Sequence, residues 1–308
     1  YEAKNFNGAI EDFSTAIAKD PKLALAYFHR GDAHFRSANW SGAIQDYTQA
    51  IGLGMKDPIL FNNRGKAFLE QESYTEAISD FSAALVINKE FTKAYQNRGL
   101  AYFKMNKFAE ASKDLRAAEK LMEKPDPDLY KLLADSYFNA KNYIVALEYF
   151  DKLIAAGYND KEVYYKRGRV LLEKEDYAAA IKDFDAAQKA GDNSIQLLLD
   201  KAKAYLGMGD GKAAIAELSN VIAIDKNNTN AYFNRAMIKE DLKDFEGAVL
   251  DYNRVLSINP EDGLAYYNRA NCKAEMDDIG AGISDLDDAI RVEPKNASYY
   301  KLRGNFYY

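Results

Sequence analysis

Apolar and polar positions follow a helical period along the chain, and the pattern itself repeats. From Pro58 to Glu70, and again from Tyr74 to Ile87, aromatic and aliphatic residues recur every three or four positions with polar residues between them. Each stretch predicts an amphipathic helix of about three to four turns. Neither could bury its apolar face alone, so the helices are expected to pair and the pairs to stack. The unit is clearest in residues 94–103, Ala-Tyr-Gln-Asn-Arg-Gly-Leu-Ala-Tyr-Phe. Its Gly99 has counterparts at Gly31, Gly65, Ala134, Gly168, Ala202, Ala236, Ala270 and Gly304, spaced by 34 residues and once by 35. Twelve residues after each comes a second small residue: Ala43, Ala77, Ala111, Ala146, Ala180, Ala214, Ala248 and Gly282, with Ala9 in a first, partial copy. Two small residues per unit let two helices approach closely. An aromatic slot four residues before the first small residue holds Tyr27, Phe61, Tyr95, Tyr130, Tyr164, Tyr232, Tyr266 and Tyr300, broken only by Leu198.

This period and residue order resemble the tetratricopeptide repeat (TPR) family, whose consensus runs Trp, Leu, Gly, Tyr, then Ala, Phe, Ala and Pro. The departures are regular. Tyrosine or phenylalanine stands for the tryptophan, arginine for most leucines, and proline closes units only at Pro21, Pro260 and Pro294. The resemblance implies an all-α fold, a single TPR solenoid over residues 1–308, formed as a right-handed superhelix of antiparallel helix pairs with about nine 34-residue repeats. Residues 1–20 read as a second helix without its first, and 297–308 as a first helix without its second. The expectation is a fragment of a longer protein.

Aligning the repeats within the chain exposes a charge pairing. Arg30, Arg64, Arg98, Arg167, Arg235 and Arg269 are each followed sixteen residues later by an aspartate: Asp46, Asp80, Asp114, Asp183, Asp251 and Asp285. Where the arginine becomes Lys201 the partner becomes Glu217, and where it becomes Leu133 the partner becomes Tyr149. The matched exceptions predict an ion pair between the two helices of each unit rather than independent surface charges. The unit after Leu121 departs further, with one extra residue and the run Lys124-Pro125-Asp126-Pro127, and is expected to bend the superhelix or present a different surface.

Composition narrows the chemistry. The chain has 308 residues, 48% of them hydrophobic, and a net charge of −6, so no general affinity for nucleic acid or anionic lipid is expected. No apolar run approaches the roughly 18 residues that span a bilayer, and the compartment stays open. The single cysteine, Cys272, falls at a small packing position beside Ala33, Ala67, Ala101 and Ala204 in other copies. His29 and His34 lie five residues apart, on different helix faces, and make no zinc pair; His34 is read as packing. Residues 207–211, Gly-Met-Gly-Asp-Gly, look like a phosphate loop but sit where other copies have an inter-helix turn, and are read as a turn. Trp40 fills the aromatic slot that opens the second helix and is read as core, and three Asn-X-Ser/Thr triplets carry little weight. No catalytic residue, metal site or cofactor is expected.

The candidate site is the concave face, which the resemblance places on exposed positions of the first helices. Asn63, Asn97, Asn234 and Asn268 recur just before the arginine, with His29 in the same slot. An amide that both donates and accepts suits an extended peptide backbone. Beside them run Phe28, Tyr165, Phe233 and Tyr267, suited to apolar side chains of a guest, and Lys66, Lys93, Lys166, Arg169 and Lys203, suited to its carboxylates. The clamp by which some TPR domains hold a terminal carboxylate is matched only at Lys301 and Asn305, in its first repeat. The expected function is a non-catalytic scaffold that binds an extended segment of a partner protein. The alternatives are a structural or self-associating module, or a regulatory arm of an enzyme encoded outside these residues.

Overall fold

The computed structural model describes residues 5–308, and the first four residues of the predicted opening helix lie outside them. Among the described residues there are eighteen α-helices and no strand. The backbone divides into two compact units, residues 1–158 and 159–308. The first contains α1 (Phe6–Lys19) and four pairs: α2 (Ala24–Arg36) with α3 (Trp40–Gly52), α4 (Pro58–Glu70) with α5 (Tyr74–Ile87), α6 (Thr92–Lys104) with α7 (Phe108–Leu121), and α8 (Pro127–Asn139) with α9 (Tyr143–Ala155). The second contains α10 (Lys161–Glu173) with α11 (Tyr177–Lys189), α12 (Ile195–Gly207) with α13 (Gly211–Ile224), α14 (Thr229–Asp241) with α15 (Phe245–Ile258), α16 (Gly263–Glu275) with α17 (Ile279–Val292), and α18 (Ala297–Tyr307).

One turn chemistry joins the helices of every pair. The residue after the first helix's cap takes a left-handed conformation, at Ala38, Glu72, Asn106, Lys141, Glu175, Lys243 and Asp277 with φ between 58° and 63°. Gly209 occupies the same position with φ 78°. The next amide reaches five residues back, as in Ser73 to the Phe68 carbonyl and Asp210 to that of Tyr205, both at 2.9 Å. This is the Schellman closure of a helix C-terminus. Asp210 then caps α13, its carboxylate accepting from the Ala213 amide at 3.0 Å. The glycine-rich stretch 207–211 is therefore an inter-helix turn whose polar groups serve the two helix ends.

The small residues do what their spacing requires. A Cβ at Gly65 would lie 2.7 Å from the Phe81 ring, at Gly168 2.7 Å from Phe184, at Gly31 2.8 Å from Tyr47 and at Gly99 2.8 Å from Leu115. The first helix thus lies directly on a large side chain of the second. Ala43, Ala77, Ala111, Ala146, Ala180, Ala214 and Ala248 are fully buried on the opposing helix. Cys272 is also fully buried, and burial, with the Glu240 charge adding to it, pushes its thiol up to about 12. It packs as a small apolar residue. Trp40 meets Phe35 edge-on with ring centroids 4.9 Å apart. His34 is half-buried, with Nδ1 3.1 Å from the Asn39 amide and Nε2 3.8 Å from Asp46, so its role is polar as well as steric.

Candidate functional site

First helices of successive pairs approach one another, α2 with α4, α4 with α6 and α6 with α8 in the first unit, and α10 with α12 in the second. What holds them in register is a polar ladder. Each of Arg30, Arg64, Arg98, Arg167, Arg235 and Arg269 forks onto the aspartate sixteen residues on, Nε and Nη2 donating to the two carboxylate oxygens at 2.5–2.8 Å. The aspartates are buried, and bidentate geometry is the strongest form of this contact. The bond to the carboxylate holds the Arg30, Arg98 and Arg235 guanidinium groups above their ordinary range. Lys201 meets Glu217 at 2.8 Å in the same slot. At the exception, Leu133 is fully buried and the Tyr149 hydroxyl donates to Glu119 on α7 at 2.6 Å, with Lys152 3.2 Å from the same carboxylate.

The arginines also reach backward, which the forward spacing alone did not reveal. Nη1 of Arg30, Arg64, Arg98, Arg235 and Arg269 donates to Ser14, Thr48, Ser82, Ser219 and Asn253, each sixteen residues earlier, at 2.6–3.0 Å. Lys201 likewise meets Asp185 at 2.8 Å. The signal was present in the sequence, since the residue sixteen before Leu133 is Ala117, which offers no side-chain acceptor.

The predicted row of asparagines splits in two. The Asn63 amide donates to Asp32 on the preceding first helix at 3.0 Å, and that of Asn97 to the buried Asn62 at 2.9 Å. Asp32 also accepts from the buried Tyr47 hydroxyl at 2.7 Å, and burial raises that phenol's pKa. These amides tie neighbouring repeats together. Asn268 interacts with the Tyr252 hydroxyl. Asn234 is exposed and has no hydrogen-bond partner among the described residues.

The aromatic residues singled out from the sequence are half-buried and packed on rings: Phe28 on Tyr47, Tyr165 on Phe184, Phe233 on Tyr252 and Tyr267 on Tyr299, with centroids 5.4–6.1 Å apart. The Tyr165 hydroxyl donates to Asp200 at 2.8 Å, and Arg169 lies 3.6 Å from the same carboxylate. Lys166 pairs with Glu162 at 2.7 Å, and the Lys66 ammonium stands 4.9 Å above the Phe35 ring. Lys93 and Lys203 are exposed and make no ion pair among the described residues.

Each unit has a cavity on its first-helix face. In the first, about 410 Å³ is lined by Ile59, Asn62, Asn63, Lys66, Phe91, Lys93, Gln96 and Asn97. Its polar lining is two ammonium groups and four amides. In the second, about 480 Å³ lies between α12 and α14, bounded by Leu199, Leu206, Met237 and Ile238 with Asp200, Lys203, Asn230, Asn234 and Asp241 at the rim. Of these, Asn63, Lys66, Lys93, Asn97, Lys203 and Asn234 are among the residues expected from the sequence, whereas Asn62, Gln96, Asp200, Asn230, Asp241 and the apolar lining are not. Among the described residues no group of three histidine, cysteine or carboxylate side chains is placed to hold a metal ion, and no helix is long and apolar enough to cross a membrane.

Stacked helix pairs that present partnerless polar groups on one face define a protein-interaction scaffold. Family models described as tetratricopeptide repeat match residues 97–157, 131–195, 171–236 and 229–262, and one described as TPR repeat matches 1–37 and 65–106. The chain belongs to the tetratricopeptide repeat family. Among solved structures, it is similar to the C-terminal part of a TPR repeat-containing protein from Cytophaga hutchinsonii, with a TM-score of 0.65, 14% identity, and 77% of this chain and 97% of that one covered. It is also similar to the MamA protein, with a TM-score of 0.51, 19% identity, and 56% and 94% covered. At these identities the likeness is one of fold. No curated protein matches the chain in sequence.

Proposed function

We propose that the chain is a non-catalytic scaffold that binds an extended segment of a partner protein along the first-helix face of its units. The observation that carries this reading is that the cavities on this face contain polar groups the fold itself does not use: Lys93 in the first unit, and Lys203, Asn230 and Asn234 in the second. An extended backbone brings one donor and one acceptor per residue and suits amides of this kind. Lysines on the same face attract the guest's carboxylates at long range more than they tighten the final complex.

The test is selection of unstructured twelve-residue peptides from a random library, followed by titration of the selected peptides against a variant carrying Lys93→Ala, Lys203→Ala and Asn234→Ala. All three residues are exposed, so circular dichroism should show an unchanged fold. Affinity is expected to fall about tenfold or more, about 1.4 kcal/mol. Undiminished binding by the variant would remove the first-helix face as the site.

A further inference from the structure

The cavity in the second unit lies beside a repeat poor in rings: Leu199, in its lining, stands where four other copies have Phe28, Tyr165, Phe233 and Tyr267. At two further positions α10 and α11 carry Tyr164 and Tyr177. The corresponding residues in α12 and α13 are Leu198 and Gly211, and Tyr205 is the one aromatic residue of that pair. The next first helix adds Met237 where Lys66, Arg169 and Lys203 stand in other copies. Smaller side chains leave a basin floored by Leu218 and Ile238 and walled by Leu199, Leu206 and Met237. Leu206 and Met237 are each 45% exposed, an apolar surface whose hydration the fold tolerates without covering it.

The rim is charged unevenly. Asp200 is engaged by Tyr165 and Arg169, and Lys203 is the one cation among the described residues of the lining. Across from it, Asp241 is the last residue of α14, where the helix dipole adds partial negative charge. The α14 end of the basin therefore favours a cation.

We propose that this basin is the specificity pocket of the first-helix face, taking one unbranched or γ-branched aliphatic side chain, leucine or methionine, from an extended partner segment that carries a lysine or arginine next to it on the Asp241 side. This rests on the reading of that face as a peptide site. The apolar side chain displaces water from Leu206 and Met237, Asn234 and Asn230 meet the adjoining backbone, and the basic residue lies against Asp241.

The experiment uses the full chain labelled with ¹³C at the methionine methyl groups, of which there are six, with Met237→Leu assigning the resonance in the basin. The probes are blocked six-residue peptides, Ser-Gly-Leu-Lys-Gly-Ser and its versions with asparagine for leucine or glutamate for lysine. The leucine–lysine peptide should shift the Met237 methyl saturably, and asparagine for leucine should weaken that titration about tenfold, the effect of burying one aliphatic side chain. Asp241→Lys should reverse the preference between lysine and glutamate. No saturable shift at Met237, or equal titration by the leucine and asparagine peptides, overturns the proposal. Those results leave the wider groove reading to the library peptides, so the two can fail separately.

Discussion

At the residue scale, the ladder of arginines is what converts a repeat consensus into a rigid stack. A guanidinium presents five donors in a fixed fork, and here the fork takes an aspartate of its own pair with one edge and a hydroxyl or amide of the preceding pair with the other. Removing one partner leaves a buried charge unpaired. Arg98→Leu or Asp114→Ala alone should each cost about 3 kcal/mol in chemical denaturation. The pair Arg98→Leu with Asp114→Tyr reproduces what the chain carries at Leu133 and Tyr149 and should recover part of that loss. Additive losses in the double variant would mean the two side chains do not act as a pair. The forward half of this ladder was legible in the sequence because nature's own double substitution marks it. The backward half was hidden by the variety of acceptors, Ser14, Thr48, Asn253 and Asp185, which share chemistry but not identity.

At the scale of the element, glycine and alanine decide how closely the helices of a pair approach. Gly65→Ala would press a methyl group against the Phe81 ring and should destabilise the protein by about 1–3 kcal/mol, read from its thermal or chemical unfolding. Gly304 is the control, because a Cβ there meets nothing within 4 Å, so Gly304→Ala should be neutral or stabilising by up to about 1 kcal/mol through helix propensity. Equal effects at both sites would mean that backbone entropy, not close packing, sets the preference for a small residue. The helix boundaries were readable because caps and turns recur with the repeat, down to Asp210 and Gly209 in a stretch that looks like a phosphate loop. The cavity between α12 and α14 was not, because it is lined by an aliphatic Leu199 in a slot that holds a ring in four other copies, and not by any motif present.

At the scale of the whole molecule, two compact units each expose a first-helix face with its own chemistry, amides and lysines in one and an aliphatic basin with a mixed-charge rim in the other. Family and fold were readable from period alone. The site was readable only in part, since a side chain's position in the repeat says which face it occupies and not whether a neighbour already holds it. Asn63 and Asn97 serve the stack while Asn234, in the same slot, has no hydrogen-bond partner among the described residues.

The most direct measurement is site-specific photo-crosslinking to the library-selected peptides, with a photoreactive residue placed in turn at Lys93 and Asn234 on first helices and at Val86 and Leu250 on second helices. The latter two are 79% and 67% exposed, so access does not bias the comparison against them. The scaffold account predicts crosslinks from Lys93 and Asn234 and none above background from Val86 and Leu250. Crosslinks confined to Val86 and Leu250 would contradict it and move binding to the second-helix faces.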